Sequence, residues 1–136
     1  MAETAMNRIL CVEDNDDNQF MLHRRLSKAG FDVKLARDGL EGVEWAKTLQ
    51  PDLIVMDIEL PKMNGWEATR RLKQQPETKH IPIIVLSSHQ GRASREKALA
   101  AGCDAYLTKP TDFHQLTAEI QALLNARATP TAGESR

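Results

Sequence analysis

Aromatic residues are scarce in this sequence, at 4% of its 136 residues, and no apolar run approaches the roughly 18 residues of a membrane-spanning helix. The scarcity argues against a platform on which the bases of single-stranded nucleic acid stack. With a net charge of -1 and a pI of about 6.4, the chain also lacks the basic field that indicates direct nucleic-acid binding. Because the N-terminus lacks the apolar core of a signal peptide, we expect a cytoplasmic protein.

Cysteine is also rare, with only Cys11 and Cys103 present. Their spacing matches no metal-binding motif and no disulfide framework. Cys11 lies inside an apolar run, so it is predicted to be a small buried hydrophobic side chain. Structural metal sites of the cysteine type and disulfide scaffolds are therefore not expected.

The length and composition suit one domain with one core, since 41% of the residues are hydrophobic and 27% are charged. Residues 1–7 are expected to form a polar N-terminal tail, and the domain is expected to span residues 8–126. Residues 127–136 have no apolar face and are expected to be a disordered C-terminal tail. The sequence leaves open whether the chain acts as a single domain or belongs to a longer protein.

Strand-like and helix-like segments alternate five times along the chain. The predicted strands cover residues 8–12, 31–36, 53–56, 81–86 and 105–108. A segment of helical periodicity follows each strand, most clearly after residue 112, where apolar residues recur every three or four positions. Alternation with short connections predicts an α/β fold, in which a parallel sheet has helices on both faces.

The third predicted strand has the strongest signal. Its apolar run at 53–56 is unbroken, as in strands that are buried on both faces, and it stops at Asp57. The residues that follow, Pro61, Asn64 and Gly65, are typical of turns and helix starts. Asp57 is therefore predicted to stand at the C-terminal end of a central strand, where open α/β sheets place their ligand crevice. An aspartate in this position often only begins a turn, so the residues at the other strand ends are needed to tell a functional role of Asp57 from a structural one.

Polar residues that can act together follow the other strands. Glu13 and Asp14 end the first strand, Ser87 ends the fourth and Lys109 follows the fifth. All of these ends meet at one edge of a parallel sheet, where close carboxylates require a counter-charge and an oxygen-rich acidic cluster suits Mg²⁺. Lys109 and Ser87 can contact phosphoryl oxygens. Asp57 can then act as a nucleophile toward phosphorus and form an aspartyl phosphate.

These residues lie in motifs that resemble the receiver domains of response regulators, of the chemotaxis-regulator-like kind, in two-component and phosphorelay signalling. The matching stretches are residues 12–15, 56–65, 83–88, 101–107 and 108–110. The resemblance covers almost all of the chain outside its tails. It implies a doubly wound, flavodoxin-like (βα)5 fold with five parallel strands in the order 2-1-3-4-5.

The resemblance also implies a role for each site residue. Asp57 is expected to be the phospho-acceptor, and Lys109 is expected to contact the phosphoryl group. Asp14 and Asp57 are expected to bind Mg²⁺ directly, Glu13 less directly, and the backbone carbonyl of Glu59 is expected to be a further ligand. The implied phosphoryl donor is a sensor histidine kinase or a histidine phosphotransfer protein. The implied output is contact with a downstream protein, with no direct role for nucleic acid.

Ser87 and Tyr106 are expected to form a switch pair that responds to phosphorylation. The sequence departs from the common pattern at three positions: Ser87 stands where Thr is commoner, His89 where many relatives have a smaller residue, and Glu59 places an acid near the phosphoryl group. These departures bear on the lifetime of the phosphoryl group. The Lys109–Pro110 peptide is expected to be cis, because the site needs Lys109 turned back toward Asp57 and because the family implies it.

Other functional classes fit the residues less well. A flavodoxin-like cofactor binder needs a first loop that cradles phosphate, whereas residues 13–17 are mostly acidic. A phosphatase with an aspartyl nucleophile usually has a second Asp two residues later, where this chain has Glu59. Two alternatives to a switching receiver remain: a receiver that serves only as a phosphate sink, and a receiver-like interaction module that does not switch. No metabolic activity is expected beyond catalysis of the chain's own phosphotransfer and autodephosphorylation.

Overall fold

The computed structural model describes residues 6–60, 62–88 and 92–128, in which strands and helices alternate as predicted. The strands are β1 (Arg8–Val12), β2 (Asp32–Ala36), β3 (Leu53–Asp57), β4 (Ile83–Ser87) and β5 (Ala105–Thr108). The helices are α1 (Asp16–Lys28), α2 (Gly39–Leu49), α3 (Gly65–Gln74), α4 (Arg92–Ala101) and α5 (Phe113–Ala128). No helix in these ranges is both long and apolar enough to cross a membrane.

All five strands pair in parallel in one sheet with the order β2-β1-β3-β4-β5, which confirms the expected topology. Strand β3 lies in the centre and is buried along its whole length. In the register of the sheet, Asp57 is opposite Leu86, and Ser87 is opposite Thr108. The C-terminal ends of these strands therefore meet at one edge of the sheet, beside the point where the strand order reverses.

Two apolar clusters cover the two faces of the sheet, because successive strand residues point to opposite sides. One cluster joins the sheet to α2, α3 and α4, through residues that include Leu10, Ile54, Met56, Val85, Val43, Leu72 and Ala98. The other joins it to α1 and α5, through residues that include Ile9, Val55, Ile84, Leu22, Leu26, Leu116 and Ile120. Burial of each large side chain contributes about 1.5–3 kcal/mol, so the two clusters fix the sheet edge that carries the polar residues.

Helix α1 buries a face that hydropathy alone does not identify. Asn15 caps the helix: its side-chain oxygen accepts a hydrogen bond from the backbone N–H of Asn18 at 2.9 Å. Met21 is apolar, but it is 38% exposed. The buried face instead begins with Gln19, which hydropathy does not select because its side chain is polar.

Gly65 allows α3 to begin directly against the end of β3. A Cβ atom on this residue would clash with the backbone carbonyl of Asp57 and lie 2.8 Å from the Cα of Ile58. The side chain of Asn64 caps α3 by accepting a hydrogen bond from the backbone N–H of Glu67 at 3.0 Å. The loop after Asp57 therefore turns back tightly, which keeps the strand end close to the helix start.

Helix α5 extends two residues past 126, the last residue of the expected domain. Helix α5 continues through Ala128, so residues 127 and 128 do not belong to a disordered tail. The guanidinium of Arg127 donates to the backbone carbonyl of Asp52 at 2.6 Å, and this contact holds the last helical turn. The remainder of the expected tail, residues 129–136, and residues 1–5 lie outside the described residues.

Candidate functional site

Three carboxylates meet at the C-terminal edge of the sheet. Glu13 and Asp14 follow β1, and Asp57 is the last residue of β3; one oxygen from each lies within 4.8 Å of the others. Glu13 and Asp57 are buried, at 2% and 3% exposure, whereas Asp14 is exposed. The predicted acidic cluster is therefore present, with two acids inside the crevice and one at its mouth.

Lys109 supplies the counter-charge. Its Nζ donates a hydrogen bond to Oδ1 of Asp57 at 2.9 Å and lies 3.8 Å from carboxylate oxygens of both Glu13 and Glu59. The peptide between Lys109 and Pro110 is cis, as predicted. One ammonium group thus lies among three acids, which offsets their mutual repulsion.

Burial dominates the electrostatics of this site. It raises the pKa of Asp57 from 3.8 to about 6, although the hydrogen bond from Lys109 opposes this shift; the charge of Glu13 raises the pKa further. Burial alone would lower the pKa of Lys109, but its hydrogen bond to Asp57 and the nearby acids outweigh burial and raise it. A second cation in the crevice would act in the same direction as Lys109 and favour the carboxylate form of Asp57.

The donors of this crevice fit a hard divalent cation. All of the side-chain ligands on offer are carboxylate oxygens, which suit Mg²⁺ or Mn²⁺ rather than a thiolate-binding metal. The exposed carboxylate of Asp14 leaves one side open to water, and Mg²⁺ usually keeps several of its waters. Glu13 has its oxygens engaged, since Oε2 accepts a hydrogen bond from the backbone N–H of Asn15 at 3.1 Å and Oε1 faces Lys109.

The loop after β3 returns over the Asp57 carboxylate. The backbone N–H of Glu59 donates to Oδ1 of Asp57 at 3.3 Å, so this oxygen accepts from both Glu59 and Lys109. The side chain of Glu59 is 40% exposed, and its carboxylate lies at the mouth of the crevice beside Lys109. These contacts orient the carboxylate of Asp57 from two sides.

Ser87 and Tyr106 lie on the neighbouring strands β4 and β5. Ser87 ends β4 and is fully buried, and Tyr106 is 7% exposed and belongs to the apolar cluster shared with α2, α3 and α4. The guanidinium of Arg95 in α4 lies 6.0 Å from the centre of the Tyr106 ring. His89, the other residue expected to modulate the site, lies outside the described residues.

Two polar residues beside the acids were not predicted. The side-chain amide of Gln19 donates to the backbone carbonyl of Glu13 at 2.6 Å, and Arg37 donates to the side-chain oxygen of Gln19 at 3.1 Å. The sequence held a signal for each, since Gln19 lies three residues before Leu22 on the buried face of α1, and Arg37 follows β2 directly. Their contact with each other joins two separate loops, and no local pattern shows it.

A family model described as the response regulator receiver domain matches residues 9–121 of this chain. Among curated proteins, the chain is similar to the polar-differentiation response regulator DivK of Brucella anthropi. The two are 34% identical over 116 residues, which cover 85% of this chain and 94% of DivK. This chain is also 37% identical over 119 residues to RpaA of Synechocystis sp., a DNA-binding dual master transcriptional regulator. That match covers 88% of this chain and 49% of RpaA.

Among solved structures, the receiver domain of the sensor histidine kinase PA1611 from Pseudomonas aeruginosa PAO1 is similar, with a TM-score of 0.83 and 36% identity. The similarity covers 89% of this chain and 99% of that domain, which has a magnesium ion coordinated in its active-site cleft. The fold, the acidic crevice and these comparisons agree. This chain belongs to the response regulator receiver domain family of two-component signalling proteins.

Proposed function

We propose that this receiver accepts a phosphoryl group on Asp57 from a phosphohistidine donor and then changes a protein-binding surface. The donor class is a sensor histidine kinase or a histidine phosphotransfer protein. The observation that carries the proposal is the position of Asp57, which is buried at the end of the central strand with Lys109 Nζ 2.9 Å from its carboxylate and two further acids beside it.

The proposed transfer exchanges one bond to phosphorus for another. A carboxylate oxygen of Asp57 attacks phosphorus, a P–O bond forms, and the P–N bond to the donor imidazole breaks. The electron pair leaves with the imidazole nitrogen, which takes up a proton from solvent. Lys109 binds a phosphoryl oxygen and offsets the added negative charge. The chain thereby catalyses its own phosphotransfer, and attack by water on the same phosphorus returns Asp57 to its free form.

We assign the Mg²⁺ ligands to Asp14, Asp57 and the backbone carbonyl of Glu59, with Glu13 acting indirectly. The exposure of Asp14 and the engaged oxygens of Glu13 support this division. Bound Mg²⁺ would neutralise charge between the phosphoryl oxygens and the acids. The magnesium ion in the related PA1611 receiver domain is consistent with this assignment.

The proposed switch runs through Ser87 and Tyr106. Ser87 is buried at the end of β4, next to the strand that carries Asp57, so its hydroxyl can turn to a phosphoryl oxygen. Tyr106 then adjusts in β5, and the surface of α4, β5 and α5 changes for a downstream protein. Glu59 and His89 are proposed to set the lifetime of the phosphoryl group. If Tyr106 does not respond, the chain acts as a phosphate sink instead.

Intact-protein mass spectrometry tests the assignment of Asp57. The wild-type protein, Asp57→Asn and the control Asp17→Asn, which removes an exposed acid of α1, are incubated with acetyl phosphate and Mg²⁺. We expect one added phosphoryl group in the wild type and the control and none in Asp57→Asn. Equal incorporation in all three proteins would contradict the proposal. Incorporation that persists in excess chelator would contradict the role of Mg²⁺.

A further inference from the structure

Arg37 reaches across the sheet edge to the loop that carries the acidic pair. It follows β2 directly, and β2 pairs with β1 so that Ala36 lies opposite Val12. Its Nη2 donates to Oδ1 of Asp16 at 2.7 Å and lies 3.4 Å from the backbone carbonyl of Asp14. One arginine directly after the second strand therefore contacts the loop between β1 and α1.

The same guanidinium reaches Glu13 through one intermediate side chain. Its Nη1 donates to Oε1 of Gln19 at 3.1 Å, and Nε2 of Gln19 donates to the backbone carbonyl of Glu13 at 2.6 Å. Because Arg37 can only donate, it fixes which end of the buried Gln19 amide faces the loop. The peptide carbonyls of both acids are thus held, that of Asp14 directly and that of Glu13 through Gln19.

The backbone of Arg37 is itself fixed. Its N–H donates to a carboxylate oxygen of Glu41 in the first turn of α2 at 2.6 Å. The next residue, Asp38, caps α2 by accepting from the backbone N–H of Glu41 at 2.8 Å. The guanidinium therefore extends from a fixed backbone, and its separate N–H groups reach both Asp16 and Gln19. The single ammonium group of a lysine lacks this planar, two-sided geometry.

We propose that Arg37 and Gln19 form a positioning pair, which fixes the loop between β1 and α1 so that Glu13 and Asp14 face Asp57 in a geometry ready for a divalent cation. This inference rests on the Mg²⁺ site proposed above. Neither member of the pair contacts the cation. The three carboxylates repel one another, and the exposed Asp14 would move away from the other two if its backbone were released.

Stability alone does not account for this arrangement. The ion pair between Arg37 and Asp16 is open to solvent, with side-chain exposures of 56% and 82%, and such pairs contribute little to folding. Removal of groups that orient metal ligands, in contrast, typically weakens metal binding by about 10- to 100-fold. The pair should therefore affect cation affinity much more than it affects unfolding.

If Arg37 acted only through its charge, its removal would change Mg²⁺ affinity in the opposite direction from the change expected if it positions the loop. The positive charge of Arg37 repels a cation, so its removal should tighten Mg²⁺ binding if charge were its only effect. If Arg37 positions the loop, the same removal should weaken binding. Arg37→Lys keeps the positive charge but loses the guanidinium that contacts two acceptors. Gln19→Met keeps all charges but loses the hydrogen bonds that connect Arg37 to Glu13.

The experiment titrates Mg²⁺ into the wild type, Arg37→Met, Arg37→Lys, Gln19→Met, the double variant of Arg37→Lys with Gln19→Met, and Arg24→Met, and follows tryptophan fluorescence. We expect roughly tenfold weaker binding in each single variant of the pair. The double variant should be little weaker than either, because both changes break one chain of contacts. Arg24→Met, which removes an exposed charge of α1, should not weaken binding. Amide exchange at Asn15 in the metal-free protein should accelerate in Arg37→Lys, since Asn15 donates to Glu13.

Mg²⁺ affinity that is unchanged in both Arg37→Lys and Gln19→Met would overturn the inference. Amide exchange at Asn15 that is equal to the wild type in both variants would overturn it as well. If the wild type itself fails to bind Mg²⁺, the proposed metal site is wrong, and exchange at Asn15 in the metal-free protein still decides whether the pair holds the loop. Urea denaturation confirms that each variant is folded under the conditions of the titration.

Discussion

Lys109 Nζ lies 2.9 Å from Asp57 Oδ1, although 52 positions separate the two residues in the chain. The contact spans β4, which lies between β3, whose last residue is Asp57, and β5, which Lys109 follows directly. Because the same ammonium lies 3.8 Å from Glu13 and from Glu59, one cation offsets three negative charges in a crevice that is mostly buried. In the metal-free protein, Lys109 therefore supports the ionised form of Asp57.

Lys109→Met should destabilise the metal-free protein at neutral pH, because it leaves Glu13 and Asp57 buried without their partner. Removal of one member of a buried ion pair costs about 3–5 kcal/mol, and this crevice is partly open, so we expect about 2 kcal/mol. The loss should shrink below pH 6, where Asp57 takes up a proton, since its pKa is raised to about 6. Urea denaturation at pH 5 and pH 8 measures both effects.

The control for this experiment is Lys47→Met, which removes an exposed ammonium from α2. Its effect should be within about 0.5 kcal/mol at either pH, as for most surface substitutions. A loss in Lys109→Met that is no larger than in Lys47→Met, or that does not change between pH 5 and pH 8, would contradict the role given to Lys109.

Asp57→Asn should stabilise the metal-free protein at pH 8. The folded protein binds a proton at Asp57 between pH 3.8 and about 6 that the unfolded chain has released, so the stability of the wild type falls as pH rises through this window. The rise of this pKa from 3.8 to about 6 already includes the opposing contact with Lys109 and corresponds to about 3 kcal/mol, so we expect Asp57→Asn to gain about 2–3 kcal/mol at pH 8. Urea denaturation from pH 4 to pH 8 should show the difference growing with pH; a difference that does not depend on pH would contradict it.

Mg²⁺ should narrow this difference in stability between the wild type and Asp57→Asn. A ligand at ten times its dissociation constant raises the free energy of unfolding by about 1.4 kcal/mol. We expect this gain in the wild type and not in Asp57→Asn or Asp14→Asn, since each variant loses a carboxylate of the cluster. Thermal unfolding with Mg²⁺ and with chelator measures the gain, with Asp17→Asn as the matched acid control. An equal gain in Asp14→Asn would remove that residue from the site.

The sequence predicts the sheet and its reactive edge because both depend on patterns that are local. The unbroken apolar run before Asp57 indicates a strand buried on both faces, and β3 is buried along its whole length. The polar ends of successive parallel strands must meet at one edge, and the structure brings Glu13, Asp14, Asp57 and Lys109 together there. Alternation and the position of polar residues are sufficient for these features.

Features that depend on contacts between distant segments could not be predicted in this way. Hydropathy selects Met21 over Gln19 for the buried face of α1. It cannot show the partners of the Gln19 amide, which are the backbone carbonyls of Glu13 and Ala36 and the guanidinium of Arg37. The end of α5 depends on a contact of Arg127 with Asp52, which is 75 positions away. In both cases the energetic reason is a hydrogen bond across the fold, and no local periodicity carries that information.

The switch should be sensitive to the Ser87 hydroxyl. Ser87 is fully buried beside the strand that ends at Asp57, so a phosphoryl group on Asp57 offers it new acceptor oxygens. Helix α4 should follow at modest cost, since Ala98 is the buried residue among its described side chains. The phosphoryl group can bias this equilibrium only through contacts that differ between the two states, and the Ser87 contact is one of these.

Beryllofluoride mimics a phosphoryl group on Asp57. We therefore expect it to change the amide chemical shifts of residues 92–108 in the wild type but not in Ser87→Ala. In Ser87→Ala the changes should be confined to the crevice around Asp57, because the mimic still binds while its contact with β4 is lost. Ser88→Ala, which removes the neighbouring exposed hydroxyl, should respond like the wild type. If residues 92–108 respond equally in Ser87→Ala, the hydroxyl does not carry the switch. If they do not respond even in the wild type, Tyr106 is a fixed strand residue and the chain acts only as a phosphate sink.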